Sequence, residues 1–211
     1  THYTYGPEYN QCTTKAWSGC VGSRNYPMNL KDESFAIKVP GILSSSCPST
    51  ISDLTSVKTD LTNQINSMFA SGDTYIPAGL TWGKRLLSNV APYSTAVTNA
   101  TAIAEDTKRA IVLMTDGENQ RSAEVPGNAT HWGSDIDQAN DWTTEVCNNI
   151  KNDDVILYTV TFGTALDADI KTLVEDCATS PGHYFHAVTA ADLVEAFADV
   201  SEQLTGLYLS K

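Results

Sequence analysis

The sequence predicts an α/β fold in which a mostly parallel sheet carries helices on both faces. After residue 50, apolar runs typical of strands alternate with helical patterns, which is the order expected of a parallel sheet. Residues 110–114 form a continuous apolar run that ends abruptly at Thr115-Asp116-Gly117, as a strand buried on both faces does. At 211 residues, the chain is long enough for one domain with a substantial core, and we interpret it as one.

The N-terminal part divides at about residue 50. Residues 1–50 have little periodicity but hold three of the five cysteines, so we expect an irregular, disulfide-stapled segment inserted in or packed on the domain. Residues 53–70 predict an amphipathic helix, because apolar residues recur at three- and four-residue steps. These residues are Leu54, Val57, Leu61, Ile65 and Met68. Residues 51–211 are interpreted as the α/β domain, or its C-terminal part.

The remaining elements follow in the order expected of such a domain. A short extended or loop segment at 73–77 precedes a helix over 78–87 and a polar excursion over 88–108. After the strand at 110–114 and a polar loop, the pattern predicts these elements: helix 142–151, strand 155–162, helix 166–176, strand 184–188 and a last helix from 190. The apolar tail 207–211 is a candidate final strand.

Composition limits the classes of partner. The formal net charge of −12 disfavours free nucleic acid and anionic membrane surfaces as partners. No apolar stretch approaches the roughly 18 residues that a transmembrane helix needs, so we expect any membrane attachment to come from a segment upstream of Thr1.

The five cysteines favour structural disulfides and therefore an oxidising compartment. No pair has the spacing of a zinc or redox motif, and buried reduced thiols are the alternative. Cys147 and Cys177 lie late in two successive predicted helices, so a bridge there would close a loop of about 30 residues. Cys20–Cys47 and Cys12–Cys20 are both candidates in the N-terminal segment. Since five is odd, one thiol, which we take to be Cys12, has no partner within the chain.

Two short motifs resemble the metal-site motifs of von Willebrand factor type A domains. The first is Gly72-Asp73-Thr74, and the second is Leu113-Met-Thr-Asp116-Gly117. The resemblance implies a Rossmann-like fold with a metal-ion-dependent adhesion site (MIDAS), in which Thr74 and Asp116 share a Mg²⁺ or Ca²⁺ ion. Glu118 and Asn119 lie beside Asp116 and are either second-shell groups or ordinary loop polar residues.

A longer series of segments, in the same order, resembles the A domain of TadG-type pilus-assembly proteins. The series consists of Trp17-Ser-Gly-Cys20, Ile76-Pro-Ala-Gly-Leu-Thr-Trp82-Gly, Leu87-Ser with Ala91-Pro-Tyr93, Leu113 to Asn119, Tyr158-Thr-Val-Thr-Phe162, Cys177-Ala and His183-Tyr-Phe185. It covers nearly the whole chain.

One element of the family pattern is missing from the sequence. In the family, an Asp-x-Ser-x-Ser loop after the central strand completes the metal site, and no such motif occurs here; Ser44-Ser-Ser46 lacks the Asp. The resemblance therefore implies that this chain starts after that strand. We expect another chain or fragment to complete the sheet, and the metal site to be partial without it.

The function implied is non-catalytic. Such a metal keeps one position open for an acidic side chain of a partner protein, which suits pilus assembly or cell-surface attachment in the periplasm or at the surface of a bacterium. A surface-exposed or secreted adhesin that binds a host or matrix ligand is the first alternative. A metal-dependent hydrolase is the second, although His131, His183 and His186 are scattered and neither Gly-x-Ser-x-Gly nor a phosphate loop occurs.

Overall fold

The computed structural model describes residues 2–5, 12–33, 36–43, 47, 49–123 and 130–209. Ser44-Ser-Ser46 and the side chain of Cys12 lie outside the described part. The strands are β1 His2–Tyr5, β2 Cys12–Lys15, β3 Ala110–Thr115, β4 Ile156–Phe162 and β5 Tyr184–Ala187. The α-helices are α1 Lys58–Ser67, α2 Ile76–Leu86, α3 Asn99–Ala104, α4 Ile136–Asn152, α5 Ala168–Cys177 and α6 Ala190–Leu209. No helix in these ranges is both long and apolar enough to cross a bilayer.

The central sheet is parallel, with strand order β3-β4-β5. Thr115 at the end of β3 pairs with Thr161, and Thr161 pairs with His186. The carboxyl ends of the three strands therefore lie at one edge of the sheet, the edge at which open α/β sheets place their ligands.

Helices cover both faces of β4, and the predicted α/β class is confirmed. Side chains alternate between the faces along a strand. Leu157 faces the layer of α2, α4 and α5, where it joins a cluster of buried residues with Val146, Ile150 and Val174. Val160 faces the opposite way and packs with Ala187 of β5 and Ala196 of α6.

The outer side of β3 is open. No other strand pairs with it beyond β4 in the described residues, so β3 is an edge strand. On the α6 face of the sheet, Val112 is 36% exposed and Met114 is 51% exposed. An apolar parallel strand is ordinarily covered on both faces, so this part of the sheet lacks a neighbour within the described chain.

The first predicted helix is shorter and less buried than its pattern indicates. α1 begins at Lys58 rather than 53, ends at Ser67, and contains no buried residue. The apolar stripe that predicts it is exposed to solvent. Periodicity reports that one face is apolar, not that another element covers it.

Other differences follow from local capping. α3 forms inside the predicted polar excursion, because the Thr98 side chain accepts from the Thr101 backbone N–H and caps it. α4 begins at Ile136 rather than 142, since the Asp135 side chain caps it by accepting from Gln138 N–H at 3.0 Å. The prediction of a final strand in the tail is wrong as far as Leu209, because α6 continues to that residue.

The N-terminal segment packs on α2 and α4. It includes an antiparallel hairpin of β1 and β2, which the irregular pattern did not predict. Leu30 enters the main core, and its carbonyl accepts from the side-chain amide of Asn149 at 3.3 Å. Tyr26 stacks on Trp142 of α4 with ring centroids 5.3 Å apart. The segment is therefore part of the packed molecule.

Candidate metal-site edge

A tight turn follows β3 and exposes Asp116. Thr115 is buried, and its hydroxyl donates to the Gly117 carbonyl at 2.7 Å, while Gly117 N–H approaches the same hydroxyl at 3.3 Å. This pair of contacts closes the chain around residue 116. Asp116 is exposed at the carboxyl edge of the sheet, so its carboxylate is accessible to a cation or to a partner.

Thr74 lies in the loop that precedes α2, called here the Thr74 loop. This loop is hydrogen-bonded to the segment that follows Asp116. The backbone N–H groups of Gln120 and Arg121 donate to the Thr74 carbonyl at 2.8 and 3.2 Å. Thr74 N–H donates to the Gln120 side-chain carbonyl at 3.2 Å. Arg121 Nε also donates to Asp73 Oδ2 at 2.7 Å. The two sequence-predicted metal residues, Thr74 and Asp116, therefore lie on segments fastened to each other.

Asn119 is the structural centre of this junction. It is 1% exposed, and its side-chain oxygen accepts from Ile76 N–H, the first residue of α2, at 2.8 Å. Its side-chain nitrogen donates to Asn140 Oδ1 at 2.9 Å and to Thr143 Oγ1 at 3.1 Å, both on α4. Asn119 thus joins the Thr74 loop to α4, whereas Glu118 is exposed. The sequence treats the two residues alike, and the structure separates them.

The oxygen atoms available at this edge suit a hard divalent cation. Thr74 offers a hydroxyl and Asp116 a carboxylate, the ligand types that Mg²⁺ and Ca²⁺ prefer. In the described ranges no group of three or more His, Cys, Asp or Glu side chains could hold a metal. The assignment of Thr74 and Asp116 as two ligands of such a cation therefore stays a prediction, and any remaining ligands would come from water or from another segment.

Two residues beside the edge are not found from the sequence. Trp132 is 59% exposed, and the Arg121 guanidinium lies 5.6 Å from its ring centroid. A tryptophan in a polar loop is the only sequence signal for this pair. Trp132 is therefore an exposed aromatic side chain that lies beside a half-buried arginine paired with Asp73.

His131 connects the N-terminal segment to the same loop. Its ring lies 4.5 Å from the ring of Tyr75, and its Nε2 contacts the Ser23 hydroxyl. Burial lowers the pKa of His131 to about 4 and raises the pKa of Tyr75 above its usual value. Both side chains are therefore neutral at pH 7, as a buried contact without a charge partner requires.

His183 and His186 make local contacts. His186 Nδ1 lies 2.9 Å from the Thr161 hydroxyl, which also lies 3.0 Å from the Tyr184 hydroxyl. His183 Nδ1 lies 3.0 Å from Ser180 Oγ in a short 3-10 turn.

Two of the three disulfide candidates named from the sequence are formed. Cys147–Cys177 joins α4 to the end of α5, with the two Cα atoms 5.2 Å apart. Cys20–Cys47 closes the N-terminal segment, and the Cys12–Cys20 alternative is excluded because Cys20 is already bonded.

Comparisons with known proteins give limited similarity. No family model matches the chain, and no curated protein matches it. Three structures of proximal thread matrix protein 1 from the mussel byssus match at 17–19% identity with TM-scores of 0.43–0.45, and one of them is described as having a zinc-occupied MIDAS motif. The matches cover 69–70% of this chain but only 28–30% of those chains. At this identity and TM-score, the matches do not assign a family. The resemblance to a family rests on the sequence motifs alone.

Proposed function

We propose that this chain is a non-catalytic protein-binding module of von Willebrand A type, working in Tad/Flp-type pilus assembly or in attachment at a bacterial surface. The order of its motifs along the sequence supports the family. The observation that carries the proposal is the pair of backbone hydrogen bonds from Gln120 and Arg121 to the Thr74 carbonyl. They hold the loop of one predicted metal residue against the segment that follows the other.

Binding at this edge uses the Thr74 hydroxyl and the Asp116 carboxylate to hold Mg²⁺ or Ca²⁺. When bound, the cation supplies an open coordination position for a carboxylate of the partner protein. Asn119 sets the start of α2 relative to α4 and so fixes the Thr74 loop. Arg121 neutralises Asp73, so Asp73 does not compete with Asp116 for the cation.

A further strand completes the sheet beside β3. The free edge of β3 offers unpaired backbone groups, and its exposed Val112 and Met114 offer apolar surface to the same neighbour. Strand addition satisfies both at once. Another chain, or a fragment of the same protein, supplies this strand together with the Asp-x-Ser-x-Ser loop.

The two disulfides bear on the cellular compartment in which the protein works. Two disulfides favour an oxidising environment, which supports placing the module in the periplasm or at the cell surface.

The test is a titration with Mn²⁺, a spectroscopic substitute for Mg²⁺, followed by electron paramagnetic resonance. The chain is titrated alone and with a synthetic apolar strand peptide that ends in Asp-x-Ser-x-Ser. We expect the peptide to tighten Mn²⁺ binding at least about tenfold, and Thr74→Ala or Asp116→Asn to abolish that gain. The matched control is Glu118→Gln, which removes an exposed carboxylate two residues away and should leave the gain intact.

The two parts of the proposal can fail separately. If the peptide binds but Mn²⁺ does not, the metal part is wrong and sheet completion stands. If Mn²⁺ binds equally well without the peptide, the partial-site interpretation is wrong.

A surface-exposed or secreted adhesin is the second candidate, and the exposed Trp132 beside Arg121 favours it. Tryptophan and arginine dominate the energetic centres of protein interfaces. Detection of the protein on the outside of intact cells or in the medium would support the adhesin. Its confinement to the periplasm would exclude that role.

A further inference from the structure

A groove runs along α2, away from the Thr74 and Asp116 edge. Its volume is about 790 Å³, within the range of specific ligand sites. Ala78, Gly79 and Gly83 of α2 line it together with Trp82, and Trp17 of the N-terminal segment lines it as well. From Ala78 to Leu86 the helix rises about 12 Å, so an extended segment of about four residues fits along it.

Trp17 is held in place although its ring is exposed. The side chain is 56% exposed, yet its Nε1 donates to the Cys20 carbonyl at 2.6 Å. The ring also lies against Gly41, where an added Cβ would come within 3.1 Å of Trp17 Nε1. Cys20 is bonded to Cys47. The indole is therefore a pre-oriented platform, and such a platform binds without a large cost in side-chain entropy.

Trp82 is held in a comparable way. The guanidinium of Arg85, which is buried, lies 4.5 Å from the ring centroid of Trp82. Tyr93 meets the same ring edge-on at 6.2 Å. Pro92 and Tyr93 also line the groove. Aromatic rings held by neighbouring residues therefore line the groove from more than one segment of the chain.

The lining selects for an uncharged, extended ligand. None of the described lining residues carries a charge at neutral pH, since burial depresses the pKa of His131 to about 4. The lining contributed by α2 is helix, whose interior backbone groups are already paired, so a β-strand finds no edge to pair with there. A polyproline II segment needs no such edge, because its backbone stays solvated while its prolines contact aromatic rings.

We propose that the groove between Trp17 and Trp82 binds an uncharged, proline-rich segment of a partner protein in the polyproline II conformation. The uncharged lining matches the uncharged segment, and the fixed indoles match the flat faces of proline rings. Neither Thr74 nor Asp116 lines the groove, so binding there does not depend on a metal held by those residues.

The experiment is calorimetry of the full chain with a capped eight-residue proline peptide, against a Gly-Ser peptide of the same length. We expect the proline peptide to bind with a dissociation constant on the order of 100 µM. Trp17→Ala should weaken binding at least about tenfold. Phe197→Ala removes an exposed aromatic ring of α6, outside the groove lining, and should leave peptide binding unchanged.

A blocking variant tests the groove without removing any contact within the protein. An added Cβ at Gly79 meets no atom within 4 Å, so Gly79→Leu fills the groove while improving helix propensity. We expect it to abolish peptide binding. Gly206→Leu in α6 is the matched control, because Gly206 is also helical with open space around it, and binding should persist.

Four outcomes would overturn the proposal. They are no binding of the proline peptide to the wild-type chain, equal binding of the Gly-Ser peptide, undiminished binding by folded Trp17→Ala or Gly79→Leu, and tighter binding of a neutral oligosaccharide. Repeating the titration with Asp116→Asn separates this site from the proposed metal function, since groove binding should survive that change.

Discussion

Two regions of the sheet, both rich in apolar residues, differ in what covers them. On the enclosed side, formed by β4, β5 and helices α4 to α6, Leu157 and Val160 are fully buried on opposite faces. By contrast, Met114 on the outer strand β3 is half exposed, and the apolar stripe of α1 is exposed as well. A hydrophobic pattern thus identifies a surface that needs covering, and the cover itself comes from elsewhere in the fold.

The largest expected effect concerns the covalent link of the enclosed side. Replacing both Cys147 and Cys177 by alanine should lower the free energy of unfolding by about 3.5 kcal/mol, since the bridge closes a loop of 30 residues in the unfolded chain. Guanidinium denaturation measures it, and the variant with Cys20 and Cys47 both replaced by alanine, which opens only the other bridge, serves as the comparison. A loss below about 1 kcal/mol would mean that packing alone holds α4 and α5.

A matched pair of leucines compares the enclosed side directly with the exposed stripe of α1. Leu157→Ala should cost about 3 kcal/mol, because it leaves a cavity in a close-packed core. Leu61→Ala in α1 should cost less than about 0.5 kcal/mol, because Leu61 is exposed and alanine favours a helix. Urea denaturation of both variants gives the difference. Similar losses would show that α1 is covered in solution.

The junction between the Thr74 loop and α4 should show an intermediate effect. Asn119→Ala removes three buried hydrogen bonds and leaves Ile76 N–H without its acceptor, so we expect a loss of about 2 kcal/mol. Hydrogen exchange at the Ile76 amide should accelerate in parallel. Gln120→Ala removes one exposed hydrogen bond nearby and should have less than half the effect.

Acid should weaken the attachment of the N-terminal segment by a smaller amount. The pKa of His131 is about 4 in the fold and 6.5 as the ordinary value, so the unfolded chain binds its proton first as the pH falls. Stability from neutral His131 is complete above pH 6.5 and declines as the pH falls from 6.5 toward 4. Denaturation at pH 7.5 and 5.5 should differ by about 1 kcal/mol from this group.

The His131→Gln variant isolates that contribution. It should flatten the slope of stability against pH, whereas His186→Gln should retain it. An unchanged slope in His131→Gln would assign the acid sensitivity to other groups.

Local sequence patterns predicted the parallel core well but only part of the candidate metal site. The apolar runs at β3 and β4 and the periodicity of α4 define the parallel core, because each signal lies within a few residues. Asn119 could not be recognised as a junction, since its partners lie 21, 24 and 43 residues away in sequence. The exposure of the apolar face of α1 could not be predicted either, because an amphipathic pattern does not show whether another element covers the apolar face.

The Cys147–Cys177 bond also has a mechanical consequence. The 30 residues between its ends would span about 100 Å if drawn out, but the bond keeps its two Cα atoms 5.2 Å apart. A load applied through the two ends of the chain therefore bypasses β4, most of α5 and the last residues of α4. Under tension the backbone can therefore lengthen only outside that closed loop. β4 lies inside the loop and cannot be extended while the bond is intact.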